Sequence, residues 1–311
     1  MELTMSQQQN NYKSNEKLRL KSKDFWNESP MDYFGGGLDR NFKSDEEYKA
    51  YFDKIDSEFK RKHELYSPDW INDEPFSNIV DFNSMEGKRV LEIGCGLGFN
   101  TEQFSSHGAN IVSIDQTVTA ARTTQKRLSL KNLSGTPVIA NAEQLPFKMK
   151  SFDFVWSWGV IDHTPRTDVV VDEIDRVLDI NGKTKVMVYH RLSLFHWYNI
   201  MFVNGILKGK LLKMSPQELR SYCSDNHCPL AQYFKKKTLR EYFNKFENVR
   251  FNAYESREMF LSHFSWLSLF KRVNFVERLV DFLIPDKLKR KFLNSYGHMI
   301  LITADKNTLS E

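Results

Sequence analysis

The chain has 311 residues, of which 41% are hydrophobic, and this is enough to bury a core in one large domain or two smaller ones. Its 44 Lys and Arg against 40 Asp and Glu give a formal net charge of +4, too small to indicate a nucleic-acid or membrane partner by itself. Three cysteines are too few for a disulfide framework and indicate a reducing compartment. No apolar run reaches the roughly 18 residues of a membrane span, and the polar start does not resemble a signal peptide. A cytoplasmic protein is expected.

The N-terminal quarter divides into two segments. Residues 1–22 contain few apolar side chains and predict a mobile tail, whereas residues 23–87 predict a helical cap. Ser44 and Glu47 have the spacing of a capping box, so a helix is expected over 45–65. The apolar side chains that recur on one face of this helix are Tyr48, Tyr51, Phe52, Ile55 and Phe59.

From residue 88 onward, short apolar runs alternate with helical segments, which is typical of a parallel sheet covered on both faces. Seven strands are predicted, at 89–93, 111–114, 137–140, 152–157, 183–189, 249–253 and 298–303. Helices are predicted between them at 98–107, 118–130 and 169–178. Two segments, about 192–240 and 255–296, exceed the minimal alternation and are interpreted as helical insertions rich in aromatic and basic residues.

A glycine-rich turn follows the first of these strands. Gly94-Cys95-Gly96-Leu97-Gly98 leads directly into a helix, so backbone N–H groups are expected to face a ligand that approaches the main chain closely. A dinucleotide fingerprint needs Gly or Ala where Phe99 stands and has no use for the acid Glu92. Both residues count against NAD.

Polar and aromatic side chains follow the next strands. Because the carboxyl ends of parallel strands meet at one edge of a sheet, these side chains are expected around one crevice. They are Asp115 and Gln116 after the second strand, Asn141 and Ala142 after the third, and Ser157 and Trp158 at the end of the fourth.

These motifs together resemble the class I S-adenosylmethionine-dependent methyltransferases, in the broad group that includes the ubiquinone/menaquinone-biosynthesis type. VLEIGCGLG, SIDQT, NAEQLPF and FDFVWSWGVIDHTPR carry the resemblance, in order, within residues 88–190. Phe25-Trp26-Asn27 and the Tyr189-His190-Arg191 end of the fifth strand are similar to a bacterial subgroup of these enzymes.

The resemblance implies an α/β fold, a Rossmann-like three-layer sandwich over residues 88–311 with a seven-stranded, mostly parallel sheet, an antiparallel last strand and helical cap insertions. It also implies S-adenosylmethionine as cofactor and S-adenosylhomocysteine as product. The residues expected at the cofactor are Glu92, Gly94, Cys95 and Gly96 at the methionine part, Asp115 at the ribose, and Asn141 and Ala142 at the adenine, with Gln116 and Ser157 on the same edge. Asn141 stands where many relatives have Asp, and its amide oxygen can still accept a hydrogen bond.

The resemblance further implies methyl transfer to an O, N or C atom of a small metabolite. His163 is the candidate general base, with an orienting or substrate-binding role as the alternative. Substrate contacts are expected from Trp26, Tyr33, Trp158, Tyr189 and His190, although aromatic side chains at helical spacing also serve as ordinary core.

Other partner classes are less favoured. Cys223, His227 and Cys228 match zinc spacing poorly, so no metal is expected. Dispersed basic clusters suit helix ends, and the Asn-Pro-Pro-Phe/Tyr tetrapeptide of base methyltransferases is missing, which disfavours nucleic acid. Apolar stretches at 194–207 and 260–284 leave room for a lipid or quinone acceptor, methylated on carbon at a membrane surface. A nucleotide-binding protein without chemistry is the rival from another class.

Overall fold

The computed structural model describes residues 5–30, 42–63, 74–225, 227–255 and 285–307. The strands are β1 (Arg89–Ile93), β2 (Asn110–Asp115), β3 (Thr136–Ile139), β4 (Phe152–Trp158), β5 (Leu178–His190), β6 (Tyr233–Phe234), β7 (Phe246–Tyr254) and β8 (Met299–Lys306). The α-helices are α1 (Met5–Glu28), α2 (Asp45–His63), α3 (Phe99–Ser106), α4 (Val118–Leu130), α5 (Thr167–Val177), α6 (Pro216–Tyr222), α7 (Lys236–Tyr242) and α8 (Asp286–Tyr296). A π-helix spans Phe195–Leu207.

The strands form one mixed sheet in the order β3-β2-β1-β4-β5-β8-β7. The first five strands pair in parallel, and β8 runs antiparallel to both β5 and β7. The mostly parallel sheet with an antiparallel last strand is therefore confirmed. The sequence pattern missed the two-residue strand β6, which pairs in parallel with the end of β5, because so short a strand has no periodicity to detect.

Helices cover the sheet on both faces, as the nearly continuous apolar character of β1 predicts. Leu91 and Ile93 point into a core shared with α5 and α7. Val90 points into the opposite core, with Phe104 of α3 and Phe59 of α2. The alternation of side chains along β1 thus divides the hydrophobic interior into two layers.

The N-terminal segment is helical where the sequence predicts a mobile tail. Apart from residues 1–4, which lie outside the described part, residues 5–22 belong to α1. Few apolar residues stand here, but Gln, Lys, Glu, Leu and Arg are good helix formers. The end of α1 is held by tertiary contacts, since Thr119 Oγ1 donates to Asn27 Oδ1 at 3.0 Å.

The insertion between β5 and β7 is mainly helical, as predicted, and has its own small core. Ile200 of the π-helix, Leu219 of α6 and Tyr233 of β6 are buried together. Phe25 and Trp26 of α1 pack against this cluster. In the second predicted insertion, α8 is helical, whereas residues 256–284 lie outside the described residues.

A buried arginine joins the N-terminal cap to the sheet-covering helices. The Arg127 side chain on α4 is 1% exposed, and it lies 2.5 Å from Asp56 of α2 and 2.5 Å from Glu102 of α3. Its guanidinium also lies over the ring of Phe52, 4.9 Å from the centroid. Three helices therefore depend on one side chain that has little access to water.

We expect Arg127→Met to lower the free energy of unfolding by about 3 kcal/mol, because it removes the guanidinium that pairs with the partly buried Asp56 and one of the two cations that pair with Glu102. Lys131→Met is the matched control, since the Lys131 ammonium pairs with the same Glu102 at 2.6 Å but is 39% exposed. This control should cost less than about 1 kcal/mol. Guanidinium-chloride unfolding measures both values, and equal losses would contradict the role of Arg127.

Candidate functional site

A cavity of about 630 Å³ opens at the carboxyl edge of the parallel strands. The strand order reverses between β1 and β4, and the cavity lies there, as expected for ligand sites in open parallel sheets. Its volume is in the usual range for small-molecule sites. The predicted site residues that line it are Trp26, Gly94, Cys95, Gly96, Asp115, Gln116, Asn141, Ala142, Trp158, His163 and Tyr189.

Three N–H groups of the glycine turn form hydrogen bonds with β2 instead of pointing into the cavity. The N–H groups of Gly94 and Cys95 both donate to the carbonyl oxygen of Ile114, at 2.7 and 3.0 Å. The N–H of Gly96 donates to Asp115 Oδ2 at 3.3 Å. The expectation that these amides face a ligand is therefore corrected, because they tie the turn to β2.

Two glycines in this turn meet different steric demands. Gly94 has φ +85° and closely approaches Val160, whose Cγ2 would lie 2.2 Å from an added Cβ. Gly96 has φ +51°, and an added Cβ there would meet nothing within 4 Å. The open space beside Gly96 is part of the cavity, so this turn leaves room for a ligand against the main chain.

Asp115 is the carboxylate that ends β2 inside the cavity. Its Oδ1 accepts hydrogen bonds from the N–H and Oγ1 of Thr117, both at 2.9 Å, which orients the side chain. Its Oδ2 accepts the longer bond from Gly96, at 3.3 Å, and lies at the cavity. Burial raises the pKa of Asp115, while the hydrogen bonds from Thr117 and Gly96 oppose this increase. Such a carboxylate suits the two hydroxyls of a ribose.

Asn141 and Ala142 form the next part of the wall. Asn141 Oδ1 accepts the N–H of Glu143 at 3.0 Å, so the side chain closes its own turn. A carbonyl oxygen has two lone pairs, and one remains for an amino group of a ligand. Together with Asp115 and the open face at Gly96, this donor and acceptor set fits S-adenosylmethionine.

Aromatic and charged side chains form the opposite end of the cavity, here called the acceptor end and defined by Trp26, His163, Tyr189 and Asp225. Trp26 and Tyr189 both meet the His163 ring edge to face, at centroid distances of 5.4 and 5.8 Å. The Tyr189 hydroxyl donates to Asp225 Oδ2 at 2.7 Å, and His163 Nε2 lies 3.3 Å from the same oxygen.

The contacts of His163 define its protonation. Its Nδ1 lies 2.6 Å from the carbonyl oxygen of Leu230, which can only accept, so Nδ1 carries a proton. Burial by itself lowers the pKa of His163, but the carboxylates of Asp162 and Asp225 outweigh it and raise the pKa well above its usual value. These carboxylates therefore favour the charged form of the ring, in which both N–H groups are directed at oxygen atoms.

The neighbouring carboxyl groups respond in opposite ways. Burial raises the pKa of Asp162 to about 6, against the opposing charge of His163. Burial also acts on Asp225, but the hydrogen bonds from His163 and Tyr189 prevail and lower its pKa. Asp225 thus keeps its negative charge at the cavity surface, where its side chain is 14% exposed.

Three of the predicted site residues do not reach the cavity surface. Ser157 is fully buried, and His190 is 2% exposed with Nδ1 at 2.9 Å from the Gly297 carbonyl. Glu92 lies behind the turn, where it accepts a hydrogen bond from Thr101 Oγ1. Side chains alternate along a strand, so a residue at a strand end can point into the core instead of the crevice. Tyr33 lies outside the described residues.

Sequence reasoning missed three charged or titratable residues that line the cavity. Arg19 lies in the segment predicted to be a mobile tail, and Asp225 and His298 stand in or near the insertions, outside any motif. The sequence around Arg19 and Asp225 carries no periodic signal that could have identified them, and the pattern of the predicted strand that begins at His298 does not mark this residue as facing a ligand. Only the packing of α1 and the insertions against the sheet brings them to the site.

Of the sequence group Cys223, His227 and Cys228, only Cys228 lies in a cluster of side chains that could bind a metal. The ligand atoms of His163, Asp225 and Cys228 lie within 4.8 Å of one another, whereas Cys223 and His227 are not part of this group. The proton on His163 Nδ1 is already donated to Leu230, and burial raises the pKa of the Cys228 thiol. This arrangement suits a hydrogen-bonded cluster better than a set of metal ligands.

We expect the unfolding free energy of the parent protein, minus that of the Glu92→Gln variant, to fall as the pH rises from 5 to 8. Burial raises the pKa of Glu92 from 4.5 to about 8, so the folded protein keeps a proton that the unfolded chain releases. This parent-minus-variant difference should decrease by about 1.4 kcal/mol per pH unit, as denaturant titrations of both proteins would measure. Parallel pH profiles for the two proteins would show that Glu92 is not held neutral.

Comparisons with known proteins give the same result as the geometry. A family model described as "Methyltransferase domain" matches residues 91–185. A 24-methylenesterol C-methyltransferase 2 of Arabidopsis thaliana is 36% identical over 96 residues, covering 30% of this chain and 26% of that protein. A ubiquinone biosynthesis O-methyltransferase of Nitrosococcus oceani is 24% identical over 217 residues, covering 65% of this chain and 89% of that protein.

Similarity to a solved structure concerns the fold. A phosphoethanolamine N-methyltransferase 2 of Haemonchus contortus, in complex with S-adenosyl-L-methionine, superposes with a TM-score of 0.52 at 19% identity, covering 92% of this chain and 60% of that one. The chain spans between 26% and 59% of the length of several curated relatives that it matches. In the described residues no helix is long and apolar enough to cross a membrane. The family model identifies a methyltransferase domain over residues 91–185, and the superposition shows that the fold around it is that of a class I S-adenosylmethionine-dependent methyltransferase.

Proposed function

We propose that the protein transfers the methyl group of S-adenosylmethionine to an O, N or C atom of a small metabolite. The observation that carries this proposal is one continuous cavity with two chemically different ends. Asp115, Asn141 and the open face at Gly96 suit the cofactor at one end. The acceptor end offers aromatic walls and a carboxylate, which suit a molecule with an apolar or planar body and a polar group.

Bound S-adenosylmethionine supplies a methyl group on a positively charged sulfur, so the protein mainly has to align the nucleophile and exclude water. Trp26 and Tyr189 flank His163 and limit the access of water to the acceptor end. Trp158, which stacks on Trp156 at a centroid distance of 5.4 Å, forms a rigid part of the same wall.

Asp225 is the group that a hydroxyl or amine acceptor would meet. Its carboxylate is more exposed than the His163 side chain, at 14% against 7%. Both nitrogens of His163 already face oxygen atoms, which supports the orienting role over that of a direct general base. In this proposal Asp225 accepts a hydrogen bond from the acceptor, and His163 and Tyr189 hold that carboxylate in place.

Two alternatives remain distinguishable by experiment. A lipid or quinone C-methyltransferase would use the same cofactor but act on an apolar acceptor. A nucleotide-binding protein without chemistry would bind the cofactor and never transfer its methyl group. Incubation with methyl-labelled S-adenosylmethionine and separate sets of phenols, amines, quinols and sterols tests all three, because the labelled product identifies the acceptor class.

Calorimetric titration tests the cofactor directly. S-adenosylmethionine and S-adenosylhomocysteine should each bind, whereas NAD should not, because Phe99 and Glu92 depart from the dinucleotide pattern. Binding of NAD together with failure to bind either sulfur compound would overturn the proposed function.

Asp115→Ala should weaken binding of S-adenosylhomocysteine by about 1.5 to 3 kcal/mol, because charge-assisted hydrogen bonds to the ribose are lost. Asp53→Ala is the control, since Asp53 is exposed on α2 and does not line the cavity. The same titration measures both variants, after thermal melting has established that they are folded. Unchanged affinity in Asp115→Ala would remove this residue from the ribose site.

Asp225→Asn should lower the pKa of His163, because one of the two carboxylates that favour the charged ring is lost. Nitrogen chemical shifts of the histidine rings, followed by NMR across pH, measure the midpoint, and a His163→Gln variant assigns the signal. Affinity for S-adenosylhomocysteine should not change, since Asp225 lies at the acceptor end. An unchanged midpoint would show that Asp225 does not control the charge of His163.

A further inference from the structure

The π-helix of the insertion has one exposed apolar face. Trp197, Phe202, Ile206 and Leu207 are 54%, 45%, 63% and 66% exposed. In a π-helix the hydrogen bonds join residues five apart, so side chains spaced by four or five share a face. Trp197, Phe202 and Leu207 have this spacing, as do the buried residues Ile200 and Gly205 on the other side. The helix is therefore two-sided, with large apolar groups facing out.

This surface continues past the end of the helix. Leu212 follows one short turn later and is 90% exposed. We call the five side chains Trp197, Phe202, Ile206, Leu207 and Leu212 the apolar face. Exposed apolar residues scattered singly are normal, whereas a contiguous group of large side chains marks an interaction site.

The charged residues in the segment that carries the apolar face all have the same sign. Residues 191–217 contain four basic side chains and no Asp or Glu. They are Arg191, Lys208, Lys210 and Lys213. This local charge equals the formal net charge of +4 of the whole chain, so the remaining residues carry no net charge. The segment that carries the exposed apolar side chains therefore has an unbalanced positive charge.

We propose that the apolar face docks onto the surface of an anionic lipid bilayer. Trp and aliphatic side chains enter the boundary between headgroups and acyl chains, while neighbouring lysines attract anionic headgroups. This occupant, rather than a second protein, matches both the apolar side chains and the single sign of charge. The helix lies on the membrane in this arrangement and does not cross it.

The docking helix also connects the surface to the cavity. Its buried side packs in the cluster that includes Tyr233, and Trp26 and Tyr189 of the acceptor end pack against the same cluster. The docking helix and the aromatic walls of the acceptor end therefore pack against the same small core. Delivery of an apolar acceptor from the bilayer rests on the proposed function, whereas docking itself does not.

Vesicle co-sedimentation tests the docking. The full chain should bind vesicles made of equal parts of phosphatidylcholine and phosphatidylglycerol more tightly than vesicles of phosphatidylcholine alone, and added salt should weaken the binding. The triple variant Trp197→Ser, Ile206→Ser, Leu207→Ser should lose more than about tenfold in affinity. The double variant Lys208→Glu, Lys213→Glu should lose at least about tenfold on anionic vesicles only.

A triple variant elsewhere on the surface provides the matched control. Ile139→Ser, Met149→Ser and Ile180→Ser replace apolar side chains that are 50%, 67% and 47% exposed, and this variant should bind vesicles like the parent. Docking is overturned if the Trp197 triple variant binds as the parent does. It is also overturned if the parent ignores vesicles and forms a dimer that this variant disrupts, as sedimentation equilibrium would show. S-adenosylhomocysteine binding, measured in parallel, reports on the proposed function separately.

Discussion

Parallel pairing of β1 with both β2 and β4 is the constraint on which the rest of the molecule depends. The strand order reverses at this point, so the chain leaves β1 and β4 toward opposite faces of the sheet and a crevice remains between the two loops. Backbone amides of the glycine turn hold the edge of this crevice by bonding to Ile114 and Asp115 of β2. The carboxylate that suits a ribose is therefore oriented by the same contacts that form the sheet edge.

The acceptor end depends on a different interaction, the electrostatic attraction between the buried His163 ring and the carboxyl groups of Asp162 and Asp225. Asp162 and Asp225 both favour the charged form of the His163 ring, and the three groups together carry one net negative charge when all are ionised. The Tyr189 hydroxyl holds Asp225 in place, and the Leu230 carbonyl holds His163. The insertion supplies Asp225 and Leu230, so this part of the cavity exists only when the insertion is folded against the sheet.

Helices outside the sheet thus do more than cover it. α1 contributes Trp26 and Arg19 to the cavity and packs against the cluster of the insertion. The π-helix closes that cluster from outside and presents the apolar face to solvent. The small core of the insertion thus packs against the acceptor end through Trp26 and Tyr189, while the π-helix presents the apolar face on its outer side.

The amino-acid sequence by itself determined the sheet, because strand periodicity and the glycine turn are local signals that do not depend on distant residues. β1, β2, β4 and α4 begin or end within a residue or two of the predicted bounds. Asp115 and Asn141 could be placed at the crevice because the carboxyl ends of parallel strands must meet at one edge.

Only the tertiary structure decided which strand-end side chains reach the cavity and what charge they carry there. Glu92, Ser157 and His190 turn into the interior, and the amides of Gly94 and Cys95 are consumed by β2. α1 is helical where a mobile tail is predicted, and Asp225 meets His163 although 62 residues separate them in the sequence. Burial and long-range contact set the pKa of a carboxyl group and the direction of an imidazole, and neither follows from the residues next to it in the chain.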